Sequence, residues 1–147
     1  MKNVIYLDYH ATTPCDPQVV QAMVPYFSSN FGNPSSSLHQ LGKMAMQAVE
    51  QARSQVAELI NARSQEIIFT GGATESNNLA LLGIASGKGK RRRIVTTAIE
   101  HKSVLGPCKE LQKQGFGVII LPVNRDSQLD INIVKEAITN DTLIVSI

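Results

Sequence analysis

Four apolar stretches separated by helical ones limit what this chain can become. Glu66–Thr70, Arg93–Ala98, Gly117–Val123 and Thr142–Ile147 read as strands. Between them, roughly Ser76–Ser86, Ser103–Gln114 and Ile131–Ile138 keep helical spacing. Within the third strand, Val118-Ile119-Ile120-Leu121 is apolar at every position. Successive side chains on a strand point to opposite faces, so such a run needs both faces covered, as helices on each side of a sheet provide. Strand, helix and strand in succession imply right-handed crossovers and parallel pairing. The expected fold class is α/β, a mainly parallel sheet with covering helices.

The chain upstream is helical. Asp16 before Pro17 is an N-cap with proline at the first helical position, and Val20, Met23 and Val24 continue a stripe ending near Tyr26. "SSNFGNPSSS" is a loop. From about Leu38 to Ile60, apolar residues at Leu41, Ala45, Ala48, Ala52, Val56 and Leu59 mark a long amphipathic helix. Pro107 is expected in the first turn of its helix, where a missing N–H costs little. The closing "LIVSI" is a strand with no covering helix after it, which reads as a large domain cut in mid-sheet.

Bulk properties exclude several classes. A net charge of +2 is too small for a general nucleic-acid binder, which needs a concentrated basic face. The dense run Lys88, Lys90, Arg91, Arg92 and Arg93 reads as a solvated turn after a helix C-terminus. No apolar run approaches the roughly 20 residues of a membrane span, and the opening shows no secretory signal, so no membrane partner is expected and the cytoplasm is the default. Cys15 and Cys108 form no CxxC pair and have no metal-ligand neighbours, so no metal site is expected. Cys108 is in register with Val104 and Leu111 and reads as core.

One loop invites chemistry. "TGGATESNN", residues 70–78, joins an expected strand to an expected helix. Backbone N–H groups of Gly72, Ala73 and Thr74 would stand at a positive helix end, with glycine permitting close approach and the hydroxyls of Thr74 and Ser76 able to donate. A phosphate monoester or diphosphate is the ligand this favours. Two other readings stay open at this level. One is a tight turn with Thr74 as helix cap. The other is a dinucleotide site, for which Glu100 stands at the next strand end but the third glycine of G-x-G-x-x-G is absent.

Four motifs stand together: "IYLDYHATTP" at the start, "FGNPSSSLHQLG" at 31–42, "TGGATESNNLAL" at 70–81 and "AIEHKSV" at 98–104. With them, and with "NDTLIVSI" at the close, the chain from about Val4 to Ile147 resembles the N-terminal part of the cysteine desulfurases of the NifS/IscS type, members of the class V aminotransferase family. The resemblance implies the cofactor pyridoxal 5′-phosphate and the large-domain sheet of fold-type I enzymes. It implies conversion of L-cysteine to L-alanine, with the sulfur held as an enzyme persulfide and passed to an iron–sulfur scaffold or another acceptor protein, and a homodimer.

By that resemblance Ala73 and Thr74 are the phosphate-binding pair, and His101 stacks on the cofactor ring and moves protons. Gly72 joins the cofactor cradle by the same resemblance but stands where serine is common, which removes one hydroxyl near the phosphate. Ala11, Thr12 and Thr13 match a segment reaching the active site from the small domain, giving a division into residues 1–15 and residues 16–147. Asn33 and His39 match the loop after the first helix, where a tight Asn-Pro turn and a helix start explain them equally well. The family's cofactor-anchoring lysine lies in S-x-H-K. Lys102 follows a histidine but has Ile99 at the serine position, and neither cysteine matches a persulfide loop. The chain alone is therefore expected to be inactive. A non-catalytic interaction module that pairs with another chain is the alternative, and a selenocysteine lyase is a close variant.

Overall fold

The computed structural model describes residues 4–9, 11–87 and 89–147. By internal contacts the chain forms two compact units, Met1–Ile68 and Phe69–Ile147.

In the first unit, α1 spans Pro17–Ser28 and α2 spans Gln40–Leu59. Asp16 caps α1 as its sequence predicts, its Oδ1 accepting from the Gln18 N–H at 2.7 Å. The helix runs on to Ser28, past Tyr26, with Pro25 inside it. His39 caps α2 through Nδ1, which accepts from the Gly42 N–H at 3.1 Å. A side chain at Gly42 would collide with the Ser36 carbonyl, so glycine here lets the preceding loop lie on the helix start. The far end of α2 is a Schellman closure built on asparagine. Asn61 takes a left-handed φ of 53°, and the Ala62 and Asn61 N–H groups donate to Ala57 and Glu58 carbonyls.

The first expected strand does not form. Ser64–Glu66 is a 3₁₀ turn, and Ile67 is extended at φ −92°, ψ 124° but belongs to no ladder. An apolar run favours extended backbone, whereas a strand also needs a paired neighbour, and the Ile67 carbonyl accepts instead from the Arg53 guanidinium.

The second unit is α/β. α3 (Ala73–Ala85) leads through Ser86–Arg92 to β1 (Arg93–Thr97), then α4 (Lys102–Lys113), β2 (Gly117–Leu121), α5 (Ile131–Ala137) and β3 (Thr142–Val145). The sheet order is β2-β1-β3, all parallel, with Arg93 opposite Gly117 and Val95 opposite both Ile119 and Val145. Central β1 is the buried strand. Ile94 packs with Leu81, Val104, Cys108, Leu111 and Phe116, while its neighbour Val95 faces Leu121 and Val134 on the other side. Each such apolar side chain contributes about 1.5–3 kcal/mol when fully buried.

Two expectations need correction. Both faces are covered at β1, but in the edge strand β2 Ile120 is half exposed. Pro107 sits at the sixth residue of α4, not in its first turn. Its ring is buried on the core face, where packing offsets the lost donor to the Ser103 carbonyl. In the basic run, Lys88 lies outside the described residues. Arg92 is not merely solvated: its backbone N–H donates to Asp141 Oδ1 and its guanidinium lies 4.6 Å from the Phe116 ring centre. Among the described residues no helix is long and apolar enough to cross a membrane.

Candidate functional site at the first turns of α3 and α4

Gly72, not Thr74, is the N-cap of α3, and the helix starts three residues before its expected Ser76. Its backbone lies at φ 157°, ψ 175°, a region essentially reserved for glycine. No side chain caps this helix. The first intrahelical bond is Ser76 N–H to the Gly72 carbonyl, so the N–H groups of Ala73, Thr74 and Glu75 have no partner among the described residues. They are the positive pole of the helix.

Glu75 does not block that pole. Its Oε2 turns back to accept from the Gly71 N–H at 2.6 Å, fastening the loop to the first turn. Ser76 is also engaged, its Oγ lying 2.6 Å from Thr70 Oγ1 and facing the Gly72 carbonyl. Of the two hydroxyls expected to donate outward, only that of Thr74 has no hydrogen-bond partner among the described residues. The Thr74 carbonyl is held by Asn78 Nδ2 at 2.7 Å.

His101 closes the turn after β1 and is the N-cap of α4. Its Nδ1 accepts from the Ser103 N–H at 3.1 Å and lies 2.8 Å from Ser103 Oγ. Ser103 Oγ in turn accepts from Asn77 Nδ2 of α3 at 2.8 Å. Asn77 is in the second turn of α3 and Ser103 in the first of α4, so this bond places the two helix starts side by side. Ala73, Thr74 and His101 therefore share one end of the unit, outside the carboxyl end of β1, where parallel sheets form their ligand crevices. His101 is exposed and its Nε2 has no protein partner among the described residues. Lys102 is an exposed first-turn residue.

The other sequence-predicted residues belong to the first unit. Thr12 Oγ1 is 2.7 Å from the Tyr6 hydroxyl, and the Ala11 N–H donates to the Asp8 carbonyl in an exposed turn with Thr13 following. Asn33 makes the tight turn, its Oδ1 accepting from the Ser35 N–H at 2.9 Å. Cys15 is exposed and Cys108 buried, both as free thiols. Burial pushes the Cys108 thiol above the ordinary range, and the charge of Glu100 adds to it, so this thiol stays protonated at neutral pH. No group of three or more metal-ligating side chains occurs among the described residues.

Sequence reasoning missed Asn77 and Ser103. The available signal was a serine on the stripe that continues through Pro107 and Leu111, a polar residue on a buried helix face that requires a partner.

These residues fit a phosphorylated aromatic cofactor. Three unpaired amides and a glycine at a helix start suit a phosphate dianion, and an exposed imidazole beside them suits a ring. The family model described as aminotransferase class-V matches residues 5–147. A cysteine desulfurase IscS of Rickettsia bellii (strain OSU 85-389) is 51% identical over 144 residues, covering 97% of this chain and 35% of the relative. Among solved structures, a NifS-like protein superimposes with a TM-score of 0.85 at 36% identity, over 96% of this chain and 39% of its own. SspA in complex with cysteine gives 0.83 at 38% identity, over 95% and 40%. The chain thus spans about a third of the length of the curated relatives it matches.

Proposed function

The chain belongs to the aminotransferase class-V family, and from that premise we propose that it is the cofactor-cradling first part of a pyridoxal 5′-phosphate-dependent cysteine desulfurase. The observation that carries this reading is the Asn77–Ser103 bond, which sets the unpaired amides of α3 beside His101. The relatives' recorded activity and the cysteine in one structural neighbour supply the substrate, L-cysteine.

In this account the N–H groups of Ala73 and Thr74 and the Thr74 hydroxyl bind the phosphate at the positive end of α3. Gly72 keeps side-chain bulk out of its path. His101 presents the face of its ring to the cofactor, and its Nε2 takes up or releases a proton. The bound cofactor supplies the electron sink that the conversion of L-cysteine to L-alanine requires. Ala11, Thr12, Thr13 and Asn33 serve the substrate side, residues 1–15 going with the small domain and 16–147 with the large one.

The S-x-H-K lysine has no counterpart in these 147 residues. Buried Cys108 is a poor sulfur carrier, since the nucleophile would be a thiolate. On its own, then, the chain holds the cofactor only by non-covalent contacts and turns over no cysteine. The complete reaction takes the remaining length seen in the relatives, a second copy in a homodimer and an acceptor such as an iron–sulfur scaffold.

The test is an absorbance spectrum of the purified chain with pyridoxal 5′-phosphate, before and after borohydride and gel filtration. Binding that is lost on the column is expected. An aldimine band that survives the column, and that borohydride then converts into a permanently attached reduced adduct, would mean that a lysine of this chain anchors the cofactor, and would overturn the reading.

A further inference from the structure

Nδ1 of His101 receives the Ser103 N–H at 3.1 Å, so this nitrogen carries no proton in the capped state. Ser103 Oγ, 2.8 Å from the same nitrogen, has one proton to give. Asn77 Nδ2 donates to that oxygen from 2.8 Å, occupying it as an acceptor from the α3 side. Among the described residues the hydroxyl proton is left with one outlet, toward Nδ1. The group is half buried, with Ser103 only 8% exposed, so water competes poorly for these bonds.

We propose that Asn77 and Ser103 are positioning residues that together fix the His101 ring plane and its Nε2–H tautomer, making Nε2 the proton-bearing nitrogen on the exposed side. This rests on the reading of His101 as the cofactor-facing histidine, but the coupling itself is a property of the chain. Both residues act through His101.

The test is nitrogen-15 NMR of ring-labelled histidine in the full chain without cofactor, at alkaline pH where imidazole is neutral. Three histidines occur in the sequence, and loss of a signal pair in His101→Gln assigns the one of interest. Wild type should show a pyrrole-type Nε2 and a pyridine-type Nδ1 shifted upfield by its donors. Ser103→Ala keeps the backbone cap but removes the hydroxyl, so the Nδ1 signal should move downfield. Asn77→Asp is nearly isosteric, but its carboxylate only accepts and draws the serine proton away, so the movement should have the same sign. Because Asn77 acts through Ser103, Asn77→Asp should add nothing in the Ser103→Ala background.

A protonated Nδ1 in wild type overturns the proposal. So does an Nδ1 signal unmoved by either variant, or an equal effect of Asn77→Asp with and without Ser103. Adding pyridoxal 5′-phosphate to the same sample separates the two claims. A fixed tautomer with ring signals indifferent to the cofactor would end the cofactor-facing reading and leave the coupling standing.

Discussion

Glu75 Oε2 accepts the Gly71 N–H at 2.6 Å, so the one carboxylate at the start of α3 is tied to the loop before it. The helix pole stays open to an anion while the loop is held. A bond to a charged acceptor, in an exposed setting, contributes about 1 kcal/mol. Glu75→Ala should lower unfolding stability by that amount in a denaturant titration. The same change removes a negative charge beside the phosphate position and should tighten inorganic phosphate binding about twofold. A loss of both together would mean that Glu75 shapes the anion site directly.

Gly72→Ala tests the backbone of the cap. A Cβ at Gly72 meets nothing within 4 Å, so any cost comes from its φ of 157° alone. The expected destabilisation is about 1–3 kcal/mol. Unchanged stability would show that the loop reaches its geometry without needing glycine.

Gly42→Ala makes the opposite case, a clash without a positive φ. Its Cβ would press on the Ser36 carbonyl, which is backbone and cannot swing aside. A loss of about 3 kcal/mol is expected, and circular dichroism during denaturation measures it.

Cys108 gives a pH dependence. Burial, then the Glu100 charge, raises its thiol above the ordinary value of 9.0, so the folded state holds this proton more tightly than the unfolded state does. Its contribution is complete below pH 9.0 and is lost as pH rises through the higher folded value. Relative to Cys108→Ala, the wild-type chain should therefore lose stability only in that alkaline window. Maleimide at neutral pH should label exposed Cys15 and leave Cys108 until the chain unfolds.

Much of this was legible because it is local. The Asp16-Pro17 cap, the stripe of α2 and the apolar run of β2 each announce themselves within a turn or a strand. The glycine loop is legible as a helix start for the same reason. What was not legible depends on distant partners. Ile67-Ile68-Phe69 has the composition of a strand, but pairing is decided by a neighbour that composition does not name. Gly72 as cap in place of Thr74 follows from a backbone torsion, and the Asn77–Ser103 bond joins residues 26 apart. Helix propensity favours Pro107 in a first turn, whereas burial against the core sets its place inside α4.

The central claim is that the start of α3 holds the phosphate of the cofactor. Its most direct test compares pyridoxal 5′-phosphate with pyridoxal, which lacks only the phosphate, by following the backbone amide signals of Ala73, Thr74 and Glu75. The account predicts large, saturable shifts of these three signals with the phosphorylated compound and none with pyridoxal. Equal responses to both, or amides that ignore pyridoxal 5′-phosphate while other residues respond, would contradict it.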